Sequence, residues 1–138
     1  MGLVLDSSVL IGAERTARSV SELLAAIEQQ HGQTEIVLSS ITVVELEHGL
    51  HRASSAELAR KRREYLDAVF AAIPVEPFTR EMGQVAARVD AEAKQAGRVI
   101  PFPDLLIGAT ALHFDYGVGT RNLRHFEMIP GLSVLRID

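Results

Sequence analysis

Residues 101–122 read PFPDLLIGATALHFDYGVGTRN, and this stretch decides the fold. Pro103 suits the first turn of a helix, where its missing N–H would have found no partner anyway. Leu105, Leu106, Ile107, Ala109, Ala111 and Leu112 leave that helix almost no polar face, so it belongs in the interior. Val118-Gly119-Thr120 follows as a short strand, and Arg121-Asn122 turns the chain away from it. Asp104 falls at the start of the helix, where the helix dipole favours negative charge. A carboxylate in that place is either a cap or a working group.

Upstream, strands and helices alternate. Leu3-Val4-Leu5 is a buried strand closed by Asp6, with Ser7 and Ser8 to cap the helix that Val9-Leu10-Ile11 begins. Residues 19–31 are an amphipathic helix with a Ser19–Glu22 capping box and Gly32 as its stop. Glu35–Leu38 is a second strand, followed by the helix ITVVELEHGLHRA, which carries Glu45. A Ser54–Glu57 capping box opens a helix running to Ile73, with Arg60, Lys61 and Arg63 opposite its apolar stripe. Val75–Phe78 is a weak strand that Pro77 confines to an edge. Thr79 caps a helix ended by Gly97, and Ser133–Ile137 is a terminal strand entered through Gly131. The pattern predicts an α/β domain spanning 1–138, with a central, mostly parallel sheet of about five strands flanked by helices.

Composition narrows the function. Hydrophobic residues make up 47% of the chain and charged residues 23%, which is globular and not disordered. There is no cysteine, so disulfides and thiolate metal sites are excluded, and a reducing, cytoplasmic setting is compatible. No run approaches the roughly 20 apolar residues of a membrane span, and the start lacks the pattern of a signal peptide. A net charge of −4 means that any contact with nucleic acid rests on a local basic patch.

The acids then matter by position. In open parallel sheets ligands bind beyond the carboxyl ends of the strands. Asp6 ends the first strand, Glu45 lies early in the helix after the second, Asp104 starts the buried helix, and Thr120-Arg121-Asn122 leaves the strand beyond it. Three carboxylates gathered without a cation would repel one another and raise their pKa values. A divalent ion removes that cost, and an all-oxygen ligand set favours Mg²⁺ or Mn²⁺ over Zn²⁺. Such a site suits phosphodiester hydrolysis.

Each residue also has a plainer reading. Asp6 and Ser8 can be caps, and Glu45 can close a capping box with Thr42. Glu47 reads as solvated. His48 and His51 share a helix face but lack a third ligand, His113 reads as a core or interface residue, and His31 and His125 offer nothing specific. The run Arg60-Lys61-Arg62-Arg63 is first of all a solvated helix face, so Arg121 and Arg124 are the better candidates for phosphate contacts.

LDSSVLI at 5–11, SSITVVELEHG at 39–49, IPFPDLLIGATAL at 100–112 and GTRNLRHFEMIPGL at 119–132 occur in an order that resembles a PIN-domain ribonuclease, most closely a VapC-type toxin. The resemblance covers essentially the whole chain. It implies Mg²⁺-dependent cleavage of RNA that inhibits growth, with Asp6, Glu45 and Asp104 at the metal-binding positions and Ser8 supporting the first Asp. Asn122 or Thr120 would position water or phosphate. It also implies a cognate antitoxin, commonly a toxin homodimer, and a higher complex of the two. Some PIN domains supply a fourth acid where this chain has Asn122 with Thr120, which implies one firmly bound ion and a second recruited by the substrate. Asp115, at the far end of the buried helix, does not stand in for it. Other enzyme classes fit poorly. An aspartyl-phosphate phosphohydrolase needs a second Asp where Ser8 stands, and a receiver domain needs paired acids and a late Lys. The non-catalytic alternative is an RNA- or antitoxin-binding module with a vestigial metal site.

Overall fold

A computed structural model describes residues 1–138. Five strands, β1 (Gly2–Leu5), β2 (Glu35–Ser39), β3 (Val75–Glu76), β4 (Gly117–Thr120) and β5 (Val134–Arg136), form one sheet in the order β3-β2-β1-β4-β5. Every pairing is parallel, one step beyond the mostly parallel sheet that the pattern predicts. Seven helices connect the strands: α1 (Ser7–Arg15), α2 (Val20–His31), α3 (Ser40–His51), α4 (Ala56–Ala72), α5 (Arg80–Gln95), α6 (Phe102–Phe114) and α7 (Leu123–Phe126). No helix is long and apolar enough to cross a membrane.

Period-two alternation along β1 splits the interior into two cores. Leu3 and Leu5 point to a face covered by Leu10 of α1, Leu23 and Ile27 of α2, Leu46 of α3 and Leu66 and Val69 of α4. Val4 points to the other face, with Ala86 and Val89 of α5, Ile107 and Ala111 of α6 and Phe126 of α7. The central strand therefore has no polar side, and each of its residues is buried. At Gly119 a Cβ would stand 2.9 Å from Leu5 and 3.0 Å from Ile137, so glycine keeps the strands flanking β4 at packing distance.

Several helix starts differ from the sequence pattern. The cap of α4 is Ser55, whose side chain accepts from Leu58 N–H at 3.1 Å, so the Ser54–Glu57 box does not form. Ser39 caps α3, which places Thr42 and Glu45 inside the helix and removes the box expected between them. Asp6 is the N-cap residue of α1 but its side chain caps nothing, leaving Ser7 and Ser8 in the first turn. Glu47 is not simply solvated: Arg63 donates to both of its carboxylate oxygens at 2.9 and 3.0 Å, and binds Asp67 as well. The basic run on α4 is divided further, since Lys61 pairs with Glu57 and Arg62 reaches the Gly49 carbonyl at 2.6 Å. His113 is exposed, not in the core.

Candidate active site

The strand order reverses direction at β1: β2 and β3 lie to one side, β4 and β5 to the other. Ligands of doubly wound sheets bind beyond the carboxyl ends of the strands at such a point. Asp6 leaves β1 and Thr120 ends β4, directly across this boundary. Register pairs Leu5 with Gly119, and the Asp6 N–H donates to the Gly119 carbonyl at 2.9 Å. The next residues on each strand meet through their side chains.

Asp6 is 6% exposed, and its Oδ2 accepts from Ser8 Oγ at 2.7 Å and from Thr120 Oγ1 at 3.0 Å. Both hydroxyls are themselves held. Arg121 N–H donates to Ser8 Oγ at 3.0 Å, and Asn122 N–H donates to Thr120 Oγ1 at 2.9 Å. Sequence distances of more than one hundred residues are closed in this network, and one oxygen of Asp6 is fixed by it.

Glu45 projects from the interior of α3, which packs on α1 and α6. Its Oε1 is buried without a hydrogen-bond partner, as is the neighbouring Thr42 Oγ1. Burial raises the Glu45 carboxyl above its ordinary range and the charges of Asp6 and Asp104 push it further, with the Ser7 hydroxyl acting against them. Asp104 occupies the first turn of α6, where Pro101 is the N-cap residue and no side chain caps the helix. The cap reading of Asp104 therefore fails. Burial raises its carboxyl too; a hydrogen bond from His125 opposes this, and the Asp6 charge adds to it.

Three carboxylates from three segments thus feel one another's charge at the rim of the sheet. Each keeps an oxygen to which no protein group donates: Asp6 Oδ1, Asp104 Oδ1 and Glu45 Oε1. No group of three acids or histidines lies close enough to hold a metal ion by direct ligation alone. An ion at this rim would be held by one or two of the carboxylates and keep several waters, as Mg²⁺ usually does.

The other predicted residues are placed less tightly. Asn122 and Arg124 are exposed, and Asn122 joins the network through its backbone alone. The Arg121 guanidinium lies over Gly12, where a methyl group would collide with it. Asp115 is the left-handed C-cap residue of α6, at the opposite end from Asp104. A groove of about 330 Å³ between α1, α3 and α4 is lined by Glu45, with Arg15, Arg52 and Arg62 around it. His125 is the residue that sequence reasoning missed. The only available signal was its place in the segment leaving β4, on the rim where the acids gather.

The collision at Gly12 gives a test of Arg121. In Gly12→Ala the guanidinium has to move, whereas α1 gains a residue favoured over glycine by about 1 kcal/mol in a helix interior. We expect unchanged or higher thermal stability, read from the Tm. A lower Tm would mean that the Arg121 guanidinium is a packed, structural group at this position.

Known proteins match this architecture over its whole length. The PIN domain model matches residues 3–128. Ribonuclease VapC1 of Rickettsia felis is 30% identical over 138 residues, covering all of this chain and 98% of that protein. The VapC ribonuclease Y4jK of Sinorhizobium fredii is 35% identical over 142 residues, covering 96% of this chain and 95% of that one. In fold, the chain superimposes with a TM-score of 0.86 at 22% identity, with both chains fully covered, on a crystal structure of VapBC2 from Rickettsia felis bound to a fragment of its promoter DNA.

Proposed function

The chain belongs to the PIN-domain family, within its VapC group, and from that premise we propose that it is a divalent-metal-dependent endoribonuclease, the toxin of a toxin–antitoxin pair. The observation that carries the reading is that the charges of Asp6 and Asp104 both act on the Glu45 carboxyl, while each of the three acids keeps an oxygen that no protein donor occupies. An unscreened cluster of three anions would repel an RNA phosphate. Mg²⁺ or Mn²⁺, held by Asp6, Glu45 and Asp104, would supply the missing positive charge and would lower the pKa of water at the site.

The protein's own groups have separable tasks. Ser8 and Thr120 hold Asp6 by Oδ2, so its geometry is set before any ion arrives. Glu45 and Asp104 supply the remaining charge from the half-buried wall. Arg121 and Arg124, both exposed, are the phosphate contacts in this scheme, and Asn122 or Thr120 positions water or phosphate. The partner is a cognate antitoxin, supported by the neighbouring VapBC structures. A toxin homodimer within a larger complex is part of the same proposal, as the family resemblance implies.

Purified protein incubated with total RNA should cleave it in Mg²⁺ or Mn²⁺, stop in chelator, and resume when the ion is returned. Induced expression should arrest growth, relieved by co-expression of a small protein encoded next to it. Binding of RNA with no cleavage in any divalent ion would favour the non-catalytic module.

A further inference from the structure

His125 has no part in the scheme above, yet its ring is bonded to one of the acids. Its Nδ1 stands 2.8 Å from Asp104 Oδ2, a bond closed across 21 residues of sequence. No other protein group donates to Asp104. The first turn of α6 has no side-chain cap, so this contact is the one hydrogen bond that fixes the orientation of the carboxylate. The histidine is itself well anchored. It lies on α7, and the adjacent Phe126 is 1% exposed in the core beneath α6. Backbone bonds from Glu127 to Leu123 and from Ile129 to Phe126 close the short helix around it. The two side chains are 33% and 17% exposed, partly sheltered from competing water.

We propose that His125 is a positioning residue: its Nδ1–H holds Asp104 by Oδ2 and thereby reserves Oδ1 for the cation. The inference rests on the nuclease reading and extends it to one named side chain. A carboxylate only accepts hydrogen bonds, so the proton belongs on Nδ1 whether or not Nε2 also carries one. The hold therefore exists in the neutral and the cationic ring alike. Partners that orient a ligand in this way are worth 10- to 100-fold in metal affinity, on the order seen when they are removed.

The test is Mn²⁺ binding by the full chain, followed through the electron paramagnetic resonance signal of the free ion. Wild type should bind, and His125→Ala should bind about 10- to 100-fold more weakly. His125→Asn should recover most of the affinity, because its amide nitrogen, like Nδ1, is attached to Cγ. Thermal melts establish that each variant is folded. Should the alanine variant melt too low, His125→Gln, whose amide sits one bond further out, takes its place with the same expected loss. Equal affinity in wild type and the alanine or glutamine variant overturns the inference and leaves the nuclease intact. So does a folded asparagine variant as weak as alanine. A wild-type chain that binds no Mn²⁺ overturns both.

Discussion

Asp104→Asn should lower RNA cleavage by roughly 10³-fold, the scale on which one preorganised electrostatic group acts, while the protein stays folded. The substitution keeps the size and planarity of the side chain and removes only its charge. The amide oxygen of the variant can still accept from His125 Nδ1, so α6 and α7 keep their contact. Asp104 caps no helix and its side chain has no hydrogen-bond partner but that histidine, so its charge has little structural work. Asp6→Asn should behave in the same way, since Ser8 and Thr120 can turn their hydroxyls toward an amide. In cells, both variants should abolish growth arrest at undiminished protein levels. Full cleavage by a folded Asp104→Asn protein would reject its assignment to the metal site.

A larger consequence concerns stability. Glu45 and Asp104 have carboxyl groups held above their ordinary values of 4.5 and 3.8, chiefly by burial and then by charge from neighbouring acids. Between those values and the raised ones, the folded protein binds more protons than the unfolded chain. Stability then falls as pH rises through that window, and the loss persists at neutral pH. For the metal-free protein we therefore expect a Tm that declines, on account of these groups, as pH rises past 3.8 for Asp104 and 4.5 for Glu45. Glu45→Gln should raise the Tm at pH 7 and flatten the decline, while eliminating cleavage. Gain of stability with loss of activity is the pattern of a site held against its own repulsion. Saturating Mg²⁺ should restore wild-type stability, by about 2.7 kcal/mol at one hundred times its Kd. A Glu45→Gln protein less stable than wild type at neutral pH, in chelator, would mean that Glu45 is a structural group.

The architecture was legible because the strands are short, apolar and punctuated. Alternation with amphipathic helices gives a parallel sheet, and the apolar run from Leu105 to Leu112 could only be an interior helix. Helix starts were less legible. At 54–57 two adjacent serines offer equivalent caps, and only the chain's entry into α4 selects Ser55. At 39–45 the helix begins one turn earlier than the Thr42–Glu45 pattern suggests, so two residues that look like a capping box are interior and unpartnered. That mismatch is informative in retrospect: a locally favourable pair was overridden, and the freed carboxylate faces the other acids.

The site divides in the same manner. The placement of Asp6, Glu45 and Asp104 in the fold was legible because each stands at a fixed place relative to a strand end or a helix start. His125 was not, because α7 has four residues and therefore no periodicity to read. Its contact with α6 depends on how Phe126 seats in the core. Glu47 was misread for a related reason, as its partner Arg63 lies on a different helix, 16 residues on.

In the proposed nuclease Asp6, Glu45 and Asp104 share one divalent cation. Crystals of the wild-type protein soaked in Mn²⁺ would test it through anomalous scattering. The account predicts one principal anomalous peak bounded by Asp6 Oδ1, Asp104 Oδ1 and Glu45, directly or through water, and its loss in Asp104→Asn. A map with no peak among these residues, from a protein that still cleaves RNA with the same ion, would contradict it.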